Sequence, residues 1–387
     1  MNGTTSRSTT RIGVNLLWLV PGVVGGSEDY AVRLLRALTS CDHAPFELVL
    51  FTLRQFPDAH PDLAGHYTVV TAPIDGSVKP LRVLAESTWL AAQARRRRID
   101  MFHHVGGRVP LVSPVPSLVT IHDLQPLDMP GNFSVVKRLF LARALPRSAA
   151  RATVVATPSG FVRDGVVRRL GVPPERCRVV SAPRRDRSEL HLTRSTPAVA
   201  SVLDDATPFF VYPAITYRHK NHATLLDAYA ALHRSRPDVR LVLTGGEGPE
   251  EAAVRARIDA LGIAKSVVRT GRIPRSDLDA LIAHATALVF PSRYEGFGIP
   301  VLEAMAAGCP VIAADATSLP EVVGSAGTLV DPDDVAGWTA AMAAHLDAPR
   351  DELAAKGRER AELYSPAACV DALLQAYESV FTHRGEG

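Results

Sequence analysis

Two glutamates, Glu295 and Glu303, are separated by seven residues in the run Pro291-Ser292-Arg293-Tyr294-Glu295-Gly296-Phe297-Gly298-Ile299-Pro300-Val301-Leu302-Glu303. The run follows an apolar stretch, 287–290, and opens an apolar segment with helical character, 301–307. Open α/β sheets bind ligands beyond the carboxyl ends of their strands, which is where this run falls. Gly296 and Gly298 let the backbone approach a ligand closely. Pro300 suits the first turn of a helix, whose free N–H groups and positive end would face an anion. Glu295 stays in the loop and Glu303 lies one turn inside the helix. Two carboxylates so placed can hydrogen-bond hydroxyls at two points along an extended ligand. Gly308 and Pro310 then end the helix.

A cation is offered by a second segment, Ala214-Ile215-Thr216-Tyr217-Arg218-His219-Lys220-Asn221-His222, after the apolar run 209–213. Lysine or arginine beyond a strand end is placed to neutralise a diphosphate leaving group. Glycine-rich turns join other strands to helices: Gly25-Gly26, Gly245-Gly246-Glu247-Gly248 and Gly271-Arg272. Each suits a phosphate or nucleotide neighbour, and each equally suits a tight turn. His122-Asp123-Leu124 ends a further strand, with His103-His104 and Gly106-Gly107 as similar candidates. No G-x-G-x-x-G occurs, which counts against a dinucleotide dehydrogenase.

The elements that must position these residues alternate between apolar strand and amphipathic helix, an α/β architecture with parallel sheets. Strands are expected at 11–19, 46–53, 117–122, 153–157 and near 179–180, with helices at 28–38, 83–97 and 160–170. Residues 181–208, rich in charge, Ser, Thr and Pro, read as an interdomain linker. The pattern then restarts, with strands at 209–213, 240–244, 267–270, 287–290 and 311–314. Helices are expected at 222–235, 250–261, 277–284 and 301–307. Ser365-Pro366 opens a last helix to about 381.

The 387 residues exceed one ordinary core and predict two domains. Four scattered cysteines without CxxC spacing indicate neither a zinc site nor a disulfide framework and fit a reducing cytoplasm. The net charge of +3 divides into +11 over residues 1–195 and −8 over 196–387. That asymmetry is either drift in an Arg-rich composition or a basic domain that approaches an anionic partner such as a lipid surface. The apolar stretch 12–24 is too short to span a bilayer and reads as a buried first strand.

The 291–310 run resembles the signature of retaining glycosyltransferase family 4, the group 1 glycosyltransferases of GT-B fold. The resemblance implies two Rossmann-like domains with parallel sheets facing a central cleft: 1–195 for the acceptor, 196–364 for the donor, and a helix at 365–387 crossing back to the first. It implies that Glu295 contacts the donor sugar and Glu303 the ribose, with Gly296, Phe297 and Gly298 giving backbone contacts and Ser292 beside them. Lys220 matches the family lysine, next to Asn221. The family arginine is commonly several residues earlier, where Ile215 stands, so Arg218 or His219 would replace it. Gly25 and Gly26 resemble the N-terminal donor loop, and His122 the histidine of one branch. Gly245, Gly246 and Arg272 occupy loops near the nucleotide.

The expected reaction moves a hexose or deoxyhexose of mannose, rhamnose or glucose type from a nucleoside diphosphate sugar to a hydroxyl. The nucleotide sugar is a co-substrate; no cofactor, essential metal or nucleic acid is expected. The acceptor would be a saccharide, a lipid-linked or a small molecule. A cytoplasmic protein is expected, with peripheral contact at the inner membrane face through the basic domain. A nucleotide-sugar epimerase of the same fold and a catalytically silent sugar-nucleotide-binding subunit stay open.

Overall fold

The computed structural model describes residues 10–41, 46–186, 189, 192 and 195–383. Residues 1–10, rich in Ser and Thr and so expected to fray, lie outside them except for Thr10. The chain forms two compact units: Met1–Pro183 with Pro366–Gly387, and Arg184–Ser365.

Unit 1 holds a seven-stranded sheet of β1 (Thr10–Asn15), β2 (Phe46–Thr52), β3 (Thr68–Thr71), β4 (Met101–His104), β5 (Ser117–Thr120), β6 (Val154–Thr157) and β7 (Cys177–Val179). Their order is β3-β2-β1-β4-β5-β6-β7. Unit 2 holds a six-stranded sheet of β8 (Phe209–Pro213), β9 (Arg240–Thr244), β10 (Val267–Gly271), β11 (Ala287–Phe290), β12 (Val311–Ala314) and β13 (Thr328–Val330). Their order is β10-β9-β8-β11-β12-β13. The strand pairs are parallel throughout, for example Val14↔Leu50 and Val14↔His103 in unit 1 and Leu288↔Val211 in unit 2. Helices cover both faces of such sheets, so β5, β6, β11 and β12 are buried along their whole length.

Several expectations are corrected. The first strand ends at Asn15 rather than Leu19, because the Asn15 side chain accepts the Leu17 N–H and turns the chain. The helix expected at 83–97 is two, Lys79–Ser87 and Trp89–Arg97, which meet at Thr88. The linker contains a helix, Pro197–Leu203. The unit boundary lies at Pro183/Arg184 rather than 195/196. Arg184 donates its N–H to the Tyr364 carbonyl at 2.8 Å, Arg185 pairs with Asp279 at 2.7 Å, and Ser195 bonds Asp277 at 3.0 Å.

The last helix, Pro366–Thr382, belongs to unit 1. Its buried Tyr377 lies edge-on to Phe46 and bonds His103 Nδ1 at 3.0 Å. Replacing Tyr377 by alanine removes a buried aromatic ring and a buried hydrogen bond. The expected cost is about 3–5 kcal/mol, as for Phe or Trp to Ala in a core. Chemical denaturation of Tyr377→Ala against the parent checks it, with a loss below 1 kcal/mol as the contrary result.

Candidate active site

In unit 2 the strand order reverses between β8 and β11, the place where a parallel sheet opens a crevice at its carboxyl end. The loop after β8 carries Lys220 and the loop after β11 carries Glu295. They meet as an ion pair, Nζ to Oε1 2.5 Å, with side chains only 19% and 14% exposed. The ammonium also lies 5.5 Å from the Phe290 ring centroid.

Both loops are braced. A 3-10 turn, Arg218–Lys220, delivers the chain to Asn221, which takes a left-handed φ of +58 and starts the helix His222–Ser235. Asparagine tolerates that conformation better than most residues. Its side-chain amide donates to the carbonyls of Pro291 (3.2 Å) and Pro332 (2.6 Å). Tyr212 donates its hydroxyl to the Lys220 carbonyl at 2.5 Å. Burial, and then the Glu295 carboxylate, push the Tyr212 phenol well above its ordinary value, so it stays a neutral donor.

On the facing loop, Arg293 donates its N–H to the His219 carbonyl at 2.8 Å. Ser292 is fully buried, its hydroxyl 3.3 Å from the Tyr294 carbonyl. Glu295 donates its N–H to Thr317 Oγ1 at 3.0 Å, and Ser318 donates to the carbonyls of Glu295 (3.0 Å) and Phe297 (2.9 Å). Thr317 has φ +56, a rare conformation for a β-branched residue. The Phe297 ring packs edge-on against Tyr364. Gly298, at φ +109, leads into the helix Ile299–Ala307, and a Cβ there would lie 2.8 Å from Leu319.

Glu303 is 7% exposed and is held by Arg275, which also bonds Asp279 at 2.9 Å. Asp279 in turn receives Arg185, so the four side chains alternate in charge around one small pocket. Arg275, Thr317 and Ser318 were missed in the sequence. Position after β10 and β12, at the same sheet end as the two glutamates, was the available signal.

Arg218 is exposed and lines a cavity with Tyr217, His222 and Arg257, instead of joining the Lys220–Glu295 pair. His219 stacks on Tyr217. Gly245, at φ +134, and Gly248 pack against the 214–216 backbone: a Cβ would come within 2.5 Å of the Ala214 carbonyl oxygen and 2.7 Å of that of Thr216. These glycines therefore support the loop that carries Lys220. A Cβ on Gly246 would meet only Ile215, at 3.9 Å, and Arg272 is exposed.

Unit 1 repeats the reversal between β1 and β4. Asn15 and His104, at the ends of those strands, bond at 3.2 Å. His103 is held between Thr120 Oγ1 (2.8 Å) and Tyr377. Gly25, at φ +73, begins the helix Gly26–Thr39; a side chain on either Gly25 or Gly26 would meet nothing within 4 Å, so only the φ of Gly25 demands glycine. His122 donates Nε2–H to the Val105 carbonyl at 2.7 Å, which leaves Nδ1 as an acceptor, and its ring stands edge-on to Tyr30.

Residues 198–363 match the family model "Glycosyl transferases group 1", and 24–183 match "Glycosyltransferase Family 4". The chain is 31% identical over 270 residues to O-antigen chain mannosyltransferase B of Escherichia coli, spanning 68% of this chain and 70% of that one. It is 30% identical over 365 residues to alpha-maltose-1-phosphate synthase of Mycolicibacterium smegmatis, spanning 83% and 87%. The chain belongs to the group 1 glycosyltransferases of family 4. Solved structures share the fold. Sucrose-phosphate synthase from Thermosynechococcus elongatus superposes with TM-score 0.75 at 21% identity, over 96% of this chain and 99% of that one. Anabaena HepE in complex with UDP and glucose gives 0.73 at 20% identity, over 96% and 100%. The fold of this glycosyltransferase is GT-B.

The transferase buries neutral histidines at both sheet ends. Burial pushes His103 and His104 down to about 3 and His122 down to about 4. Burial, followed by nearby cations, lowers His219 and His222 to about 4. Their unfolded value is near 6.5, so the unfolded chain binds more protons between the two values. The stability from these groups is therefore complete above pH 6.5 and is lost as pH falls towards 4. Melting temperature should drop between pH 7.5 and pH 5, less steeply in His104→Gln. A flat profile over that range would contradict buried neutral imidazoles.

Proposed function

We propose that this glycosyltransferase moves a hexose or deoxyhexose, mannose foremost, from a nucleoside diphosphate sugar to a hydroxyl, with retention at the anomeric carbon. The Lys220–Glu295 pair at the switch point of unit 2 carries the reading. Its cation, at the carboxyl end of the sheet and paired with the loop that leads into the helix Ile299–Ala307, could neutralise a diphosphate there. The names of several relatives, such as O-antigen chain mannosyltransferase RfbU of Salmonella typhimurium, support mannose.

Glu295 would accept hydrogen bonds from sugar hydroxyls while Lys220 holds it in place. Glu303 would take the ribose as a further partner beside Arg275. Because Glu295 is already committed to Lys220, a front-side displacement is preferred to a covalent glycosyl-enzyme. The bond from the anomeric carbon to the diphosphate breaks and one to the acceptor oxygen forms. The acceptor's hydroxyl proton passes to the departing phosphate. Lys220 and the helix amides stabilise the charge developing on the leaving group, so the proposal includes no essential divalent metal. The four cysteines are free thiols, as suits a cytoplasmic enzyme, and no helix among the described residues is long and apolar enough to cross a membrane.

Thermal stabilisation by UDP, GDP, dTDP and ADP, each with magnesium and with EDTA, tests donor binding. One nucleotide should stabilise, equally under both conditions, by about 2.7 kcal/mol at a hundredfold excess over its Kd. Lys220→Ala and Glu303→Ala should each lower turnover by roughly 10²–10³-fold with the fold intact. Near-normal turnover in both variants would sink the site.

A further inference from the structure

Unit 2 contains a cavity of about 390 Å³ that neither Lys220, Glu295 nor Glu303 lines. Small-molecule sites typically span roughly 300–1,000 Å³, so the volume is sufficient for one. Its walls come from the loop after β8, from Arg293, and from the first turns of two helices, His222–Ser235 and Glu251–Ala260. Arg218 opens and Lys220 closes a single 3-10 turn. Lys220 pairs with Glu295, while Arg218 lines the cavity.

Three polar groups on these walls have no partner among the described residues: the Arg218 guanidinium, the Glu250 carboxylate and the hydroxyl of the exposed Tyr217. The other arginines there are committed, Arg257 to Asp227 at 2.6 Å and Arg293 to Asp333. No side chain caps either helix, so the free N–H groups of both first turns add positive potential. His222 also lines the cavity; it is 4% exposed, and its Nδ1 finds no hydrogen-bond partner. Burial, and then the charges of Arg269 and Lys220, keep that imidazole neutral, so one ring nitrogen carries a hydrogen to donate. Buried Leu226 and Val254, with Ala223 and Ala253, supply the apolar wall.

We infer that this cavity is a second ligand site, separate from the Lys220–Glu295 pair, and that it takes a phosphate monoester carrying hydroxyls, of the hexose phosphate class. A phosphate group finds an uncommitted guanidinium and two uncapped helix N-termini, each of which favours a compact anion. The free Glu250 carboxylate repels a second phosphate and accepts hydrogen bonds from hydroxyls, and the Tyr217 hydroxyl can donate or accept beside it. The aliphatic wall suits the C–H face of a sugar ring. Inorganic phosphate would satisfy the cationic groups alone and would leave Glu250 facing it unpaired, so the chemistry selects the ester over the free ion.

Calorimetric titration of the full chain with the 1- and 6-phosphates of mannose and glucose tests the site, with inorganic phosphate and the free hexoses as references. One of the hexose phosphates should bind about tenfold or more tighter than either reference. Arg218→Ala and, separately, Ala253→Asp should each weaken that binding about tenfold or more, the second by setting a carboxylate on the cavity wall. Both positions are exposed, and an acid in the first turn suits a helix, so the folds should hold; melting temperatures check them. Glu250→Ala should narrow the preference for the ester over inorganic phosphate. Lys220→Ala, which tests the donor site, should leave hexose phosphate binding intact, so either site can fail alone. A parent that binds none of the esters overturns the inference, as does inorganic phosphate binding as tightly as the best of them. So does binding that survives Arg218→Ala and Ala253→Asp but is lost in Lys220→Ala, since the ligand would then sit at the Lys220–Glu295 pair.

Discussion

The reversal of strand order in each parallel sheet is the constraint on which the rest depends. Chain leaving β8 and chain leaving β11 turn to opposite sides, so no crossover fills the space between their carboxyl ends. Side chains from two distant parts of the sequence, Lys220 and Glu295, meet there. The same reversal in unit 1 brings Asn15 to His104. One topological rule, used twice, places polar groups where helices leave a sheet end open.

Holding a lysine and a glutamate mostly out of water is costly unless both are fixed and well bonded. The surrounding loops meet that condition with backbone carbonyls and hydroxyls. Tyr212 and Asn221 secure the lysine side, Thr317 and Ser318 the glutamate side. Gly245 and Gly248 allow the neighbouring loop to press against the Lys220 segment without a Cβ between them. The pair is thus part of a preorganised frame, whose orientation does not have to be found anew when a ligand arrives.

Strands such as β8, β9, β11 and β12 are legible to the residue, because a largely buried parallel strand reads as a near-continuous apolar run. β4 was not, since two of its four residues are histidines whose burial depends on partners far away, Tyr377 and Asn15. The helix Val135–Arg151 escaped for a related reason: its first turns are exposed all round and Pro146 lies inside it, so no helical apolar period marks it. At the site, glutamates, lysine and glycines announced themselves by residue type and position after strands. Arg275 could not, because its role comes from where its side chain reaches. Arg218 shows the converse: a suitable residue type in a suitable loop that faces a different cavity.

The route of the chain has a consequence for synthesis. Unit 2 is one continuous segment, while unit 1 is assembled from the first 183 residues and a helix near the end of the chain. On a ribosome, unit 2 has its whole sequence available before unit 1 does, and domains generally fold as units during synthesis. The N-terminal segment is made first yet is the last to be completed. Until Tyr377 emerges, His103 lacks its hydroxyl partner and the apolar surface around Phe46 has no cover from the final helix. The nascent chain therefore carries unfinished hydrophobic surface in its earlier-made part while the continuous unit 2 is already able to fold.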